Sequence, residues 1–161
     1  MRKVLSGFYR LLQILITLLM GLLIIPVSLQ VLSRYTGIIP RYIWTEEVAR
    51  FCFMWIIMIG AMIAVKDGTH FDVDVLPLPP KPRVQAAGRI VVHFFMLIVA
   101  LAFMVYGYDF SKFGYVQHSE LTGINMLSIH IAWPLAGLAW VAFLGEKFFD
   151  DILILIKGKK P

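Results

Sequence analysis

The sequence predicts an all-α membrane protein of four transmembrane helices, with both termini in the cytoplasm. Three observations predict it. Hydrophobic residues make up 60% of the 161-residue chain, and charged residues only 16%. The mean hydropathy is +0.81. Apolar stretches long enough to cross a bilayer recur four times, at about 11–33, 45–65, 90–108 and 124–144. Soluble domains carry about a quarter charged residues, and runs of about 18 or more apolar residues read as spanning helices. The whole chain, 1–161, is read as one four-helix transmembrane domain.

The first span starts after Arg2, Lys3 and Arg10, which imitates a secretory signal. The charge-free run from Leu11 to Ser33 is too long for a signal core of about 7–15 residues, and no small-residue cleavage pattern follows. An uncleaved span is expected, with a kink at Pro26 where one backbone donor is missing.

The second span has only fifteen uncharged residues, Phe51 to Val65. At 1.5 Å per residue they cover about 22 Å, short of a hydrocarbon core of about 30 Å. The helix must therefore begin near Trp44 or Thr45. Thr45 is the candidate N-cap, with Glu46 and Glu47 in the first turn, where the helix dipole favours acid. Arg50 stands four residues from Glu46 and three from Glu47, so either can pair with it.

Lys66 to Arg89 is the longest polar segment. Prolines at 77, 79, 80 and 82 point to a stiff, extended connector there. The third span follows. Asp109 to Gly123 is then a second polar connection, whose Phe110, Phe113 and Tyr115 form an interfacial belt or prolong the third helix. The fourth span has Asn125 near its start and Pro134 inside. The tail from Glu146 is short and charged.

Orientation follows from basic residues in short loops. Eleven lie on the side of the termini and the 66–89 connection, against four on the other side. The termini are therefore expected in the cytoplasm, and the Glu46/Glu47/Arg50 cluster outside or in the periplasm. The net charge of +5 is dispersed at helix ends, which argues against nucleic acid. The single cysteine, Cys52, allows no internal disulfide, redox pair or cysteine zinc site.

Chemistry inside a membrane leaves ionisable residues at mid-bilayer depth. This chain has no Asp, Glu, Lys or Arg in the middle of any span, which argues against a self-sufficient pump or a stand-alone four-helix exporter. His93 and His130 raise the alternative of a haem-binding anchor for a redox complex. They stand near opposite ends of their spans, roughly 17 Å apart along the membrane normal, too far for one iron. His70 with Asp72 and Asp74 is a weak metal set, better read as a solvated loop. Gly60 and Ala64, and Ala132 and Ala136, give small-residue faces for close helix contact. Trp44 and Trp55 are interfacial anchors or packing residues. Neither a nucleophilic triad nor a phosphate-binding loop is visible, so no enzyme activity is expected.

Arg34 in the first outer connection, Trp44-x-Glu46-Glu47-x-x-Arg50 opening span two, Trp55, Gly60, and then Lys66-x-Gly68-x-His70-x-x-x-Asp74 together resemble one family. It is the small membrane subunit (DctQ type) of tripartite ATP-independent periplasmic (TRAP) transporters. The resemblance covers nearly the whole chain. It implies a sodium-coupled importer of an organic acid in the bacterial or archaeal inner membrane. A large membrane subunit (DctM type) would hold the substrate and sodium sites, and a periplasmic binding protein would deliver the substrate. This chain would then be a non-transporting scaffold among membrane lipids, with no cofactor of its own. Arg34, Trp44, Glu46, Glu47, Arg50, Trp55, Gly60 and Ala64 would serve the subunit contact or meet the binding protein. Lys66, His70 and Asp74 would order the cytoplasmic turn.

Overall fold

The computed structural model describes residues 2–36, 40, 42–68, 82–120 and 122–157. Four of its helical segments are long and apolar enough to cross a membrane. Helix α1 is Arg2–Thr36, α2 Ile43–Asp67, α3 Pro82–Val116, α4 Leu127–His130 and α5 Ala132–Lys157. The single turn α4 and the helix α5 together make the fourth span. Among the described residues the sole β pairing is an isolated bridge between His118 and Asn125.

Helix α1 meets α2 along one seam. Leu12 is buried there, and Ile16 and Leu19 pack against the core at helical spacing. Tyr9 donates to Asp67 at 2.7 Å, and Ile16 lies against Gly60. The step is seven residues forward in α1 and seven back in α2, so the pair is antiparallel and in register. Pro26 stays inside a continuous helix.

Helix α2 begins at Ile43, one or two residues before the start expected near Trp44 or Thr45. Its N-cap is Tyr42, in extended conformation and without a side-chain cap. Thr45 is already the third helical residue, and its hydroxyl donates back to the Tyr42 carbonyl at 2.7 Å. Ile43 and Trp44 extend the apolar length toward that of a bilayer core, which favours the earlier start. At the other end Gly68 closes the helix at φ +80, with its N–H on the Ala64 carbonyl at 2.9 Å. This left-handed cap suits glycine, and a Cβ there would also come within 3.1 Å of Lys147 Nζ.

Helix α3 corrects the sequence reading at its start and, at its far end, takes the form of a prolonged third helix, one of the two that were expected. Pro82 does not belong to an extended connector: it is the first helical residue, where its missing N–H costs nothing and its φ is already helical. Residues 69–81, with the other three prolines, lie outside the described set. At the far end α3 runs on to Val116, so half of the expected polar connection is helix. Asp109 and Lys112 pair three residues apart at 3.6 Å on that extension, and Lys112 lies 4.3 Å from the Tyr108 ring centroid.

Asn125 manages the turn that follows. Its amide donates to the Tyr115 carbonyl at 3.0 Å, and its Oδ1 accepts from the Leu127 N–H at 2.8 Å. One side chain thus closes the open end of α3 and the open start of α4.

The fourth span bends between α4 and α5 because Pro134 has no N–H for the His130 carbonyl. Ser111 of α3 stands in as donor: its hydroxyl lies 2.8 Å from the Gly107 carbonyl and 3.2 Å from that of His130. Trp55 of α2 donates its indole N–H to the Ser128 carbonyl at 3.0 Å. Two neighbouring helices therefore satisfy the bend, as the absence of water in a bilayer demands.

The most extensive contact is α3 on α5. It is close because two glycines permit it. A Cβ on Gly137 would lie 2.7 Å from Met104 N and 2.8 Å from the Ala100 carbonyl. One on Gly107 would lie 2.8 Å from Pro134 N. Ala100, Ala132, Ala136 and Phe143 are fully buried. Phe103 stacks on Trp133 at 5.1 Å and lies tilted against Trp140 at 4.8 Å. Helix α5 also packs on α2, and α2 on α1. Among the described residues the spans thus form an open row, α1–α2–α5–α3, with α1 and α3 as its flanks.

Candidate partner interface

Charge gathers at the two ends of the spans and leaves their middles apolar. At the Lys66 end the helices are tied to one another. Lys66 pairs with Glu146 of α5, both largely buried, and lies over the Phe143 ring. Arg89 of α3 donates to Asp151 of α5 at 2.7 Å. Asp151 is only 5% exposed, so a buried carboxylate has a matched cation, as it must. His93 Nδ1 stands 3.1 Å from the second Asp151 oxygen, within ion-pair range but not aligned for a hydrogen bond. With Tyr9 on Asp67, these contacts join α1 to α2, α2 to α5 and α3 to α5.

The Trp44 end is built differently. Arg34 is exposed in the last turn of α1. Trp44 is half exposed and lies 6.1 Å from Tyr42, ring to ring. Glu46 and Arg50 pair at 3.1 Å with both side chains about two-thirds exposed. Glu47 parts from them: it is 9% exposed, and its Oε2 has no hydrogen-bond partner among the described residues. Of the two pairings open to Arg50, the structure therefore forms the one with Glu46.

Other predicted site residues make contacts within the chain. Trp55 serves the bend at Ser128, and Gly60 receives Ile16 of α1. Ala64 caps α2 through its carbonyl. Lys66 reaches across to α5 rather than only ordering its own turn. His70 and Asp74 lie outside the described residues. The two span histidines meet α3 toward opposite ends: His93 lies on it beside Asp151, and His130 of α4 stacks on its Phe110 at 3.9 Å and packs against its Gly114. Seventeen residues of helix separate His93 from Phe110, about 26 Å of rise.

Sequence reasoning missed Glu146, Asp151 and Arg89 as a layer between helices, because the tail reads as a plain charged end. It also missed Ser111. The signal for Ser111 was present: a proline in a span frees the carbonyl four residues back, and a hydroxyl on a neighbouring helix can claim it.

The outward faces are apolar. On α3, Phe94, Phe95 and Val105 are more than half exposed, and on α1 so are Ile14, Leu18 and Ile24. Between α2 and α3, over α5, runs an apolar groove of about 430 Å³ lined by Ala61, Val65, Val92, Val99, Trp140 and Leu144. These surfaces suit lipid or other helices, not water.

Against known proteins, residues 23–153 match the family model of the DctQ component of tripartite ATP-independent periplasmic transporters. The match runs from α1 to α5 and takes in most of the chain. The chain belongs to the DctQ family. Its kinship extends over full length: it is 25% identical over 159 residues to a chain of Haemophilus influenzae assigned as a TRAP transporter small permease protein, covering 99% of this chain and 98% of the relative. It is 25% identical over 158 residues to the sialic acid TRAP transporter small permease protein SiaQ of Vibrio cholerae, covering 97% and 88%. A third relative, the isethionate TRAP transporter permease protein DctMQ of Oleidesulfovibrio alaskensis, is 30% identical over 95 residues, covering 56% of this chain and 15% of the relative. DctQ chains are transporter subunits, not enzymes, which sets aside the redox-anchor alternative.

Proposed function

We propose that this DctQ chain is the fixed frame of a sodium-coupled, binding-protein-dependent importer of an organic acid in the inner membrane. A large DctM-type subunit carries the substrate and sodium sites. A periplasmic binding protein delivers the substrate to the outer side, where the exposed Trp44, Glu46 and Arg50 help to dock it. This chain transports nothing itself and holds no cofactor.

The observation that carries the reading is the distribution of charge over the open row. Each span keeps its charged side chains at its ends, so no ion path crosses the chain. The ion pairs at the Lys66 end lock the helices together, and the broad flanks of α1 and α3 stay uncovered. A frame needs both features: rigidity within, and a large apolar surface for a membrane partner. The fused permease among the relatives supports a large subunit as that partner.

The test is purification in mild detergent with a tag on this chain, followed by uptake in liposomes. Large subunit and this chain together should take up substrate only with sodium and the binding protein. Each chain alone should not. Uptake by the large subunit alone at the full rate would remove the frame role.

A further inference from the structure

Glu47 is the one described acidic side chain at the Trp44 end that is both buried and without a partner. Its neighbour Glu46 lies in the open and is paired with Arg50. Glu47 is 9% exposed, and of its two oxygens only Oε2 is fully shielded. By helical spacing it shares the α2 face of Met58, Met62 and Val65, which belong to the core. It therefore stands near the start of α2, at the outer end of a core-facing stripe, where an exposed glutamate would reach for water. A carboxylate taken from water without a counter-charge is strongly unfavourable. Thr45, also buried, spends its hydroxyl on the Tyr42 carbonyl. Arg50, the nearest cation along the helix, is held by Glu46.

We infer that Glu47 is the acceptor for a basic side chain, arginine or lysine, carried by the large membrane subunit. The inference rests on the reading above that this chain works bound to such a subunit. The position selects that source. Tyr42 and Trp44, aromatic residues of the kind that sit at head-group level, flank the start of α2. A side chain that reaches Glu47 below them must come from a chain packed alongside the helix. A soluble protein meets the exposed Glu46–Arg50 pair first. A sodium ion fits less well, because a helix start presents N–H groups, whereas sodium sites in transporters use unwound carbonyls and helix C-terminal ends.

The experiment uses the complex of both membrane subunits, purified through a tag on this chain. Glu47→Gln keeps the shape and removes the charge. Retention of the large subunit should fall about 30-fold or more, the loss typical of a severed buried charge pair. The melting temperature of this chain expressed without its partner should stay level or rise. Arg41, two residues before α2 and outside the described residues, supplies the control: Arg41→Gln should leave retention unchanged. Replacing the matching basic residue of the large subunit by glutamate should rescue Glu47→Lys. Three outcomes overturn the inference. One is wild-type retention by Glu47→Gln. Another is an equal loss of melting temperature in Glu47→Gln and Arg41→Gln, which would put the cation in this chain. The last is wild-type retention that vanishes when choline replaces sodium. A wild-type chain that brings down no large subunit overturns the reading beneath the inference instead.

Discussion

Ser111 of α3 shares its one hydroxyl proton between the Gly107 carbonyl of its own helix, at 2.8 Å, and the His130 carbonyl that Pro134 leaves without its helical donor, at 3.2 Å and out of solvent. The bend in the fourth span is thus completed by another helix, and the two elements depend on each other. Ser111→Ala should strand that carbonyl. Measured hydrogen bonds between membrane helices average about 0.6 kcal/mol and reach about 1.7, so a loss near 1 kcal/mol is expected, read as a small drop in melting temperature in detergent. Replacing Pro134 by alanine as well should erase the effect of Ser111→Ala, since the helix then supplies its own donor. An undiminished effect in the Pro134→Ala background would show that Ser111 acts elsewhere.

The α3–α5 contact sets the sharpest steric expectation. Gly137→Leu drives a side chain into the backbone of Ala100 and Met104 and should cost about 3 kcal/mol or more, seen as loss of monodisperse protein on size exclusion. Gly145→Leu lies eight residues along the same helix, where nothing stands within 4 Å of an added Cβ. It should fold normally, or gain up to about 1 kcal/mol of helix propensity. The pair separates packing from any general intolerance of α5 to substitution.

Those two glycines also show what the sequence could and could not say. Four spans, their order and their polar ends follow from hydropathy, because bilayer thickness fixes helix length residue by residue. Which helices touch does not follow. Small-residue spacing draws attention to Gly60 and Ala64 and to Ala132 and Ala136, and the second pair is fully buried on α5, yet the closest backbone approach involves Gly107 and Gly137, whose partners lie some thirty residues away in the chain. Helix ends were legible only where a local rule acts alone. Gly68 obeys one. Thr45 does not, because the demand for apolar length carries α2 back to Ile43. At the candidate site, the Glu46–Arg50 pair follows from helical spacing. The burial of Glu47 does not, since it depends on how α2 faces the core.

The layer at the Lys66 end should behave as a set of coupled pairs. Asp151→Asn removes the carboxylate shared by Arg89 and His93 and should cost roughly 3 kcal/mol, the scale for breaking a buried pair. Lys66→Glu or Glu146→Lys alone should destabilise in the same sense. The two together should recover most of the loss, because the charges are merely exchanged between α2 and α5. Melting temperatures of the four proteins in the cycle read the coupling directly. Strict additivity would mean that Lys66 and Glu146 meet without holding the helices.

The exposed pair at the other end gives the opposite expectation. Glu46 and Arg50 are both about two-thirds open to solvent, and such pairs add little to folding. Glu46→Lys should therefore change stability by no more than about 0.5 kcal/mol. If this rim helps to dock the binding protein, the same substitution should slow uptake at limiting binding-protein concentration, and raising that concentration should restore the rate. The effect should also shrink as salt increases, since exposed charges steer association and are screened. A rate that is unchanged at every binding-protein concentration would confine the docking surface to the large subunit.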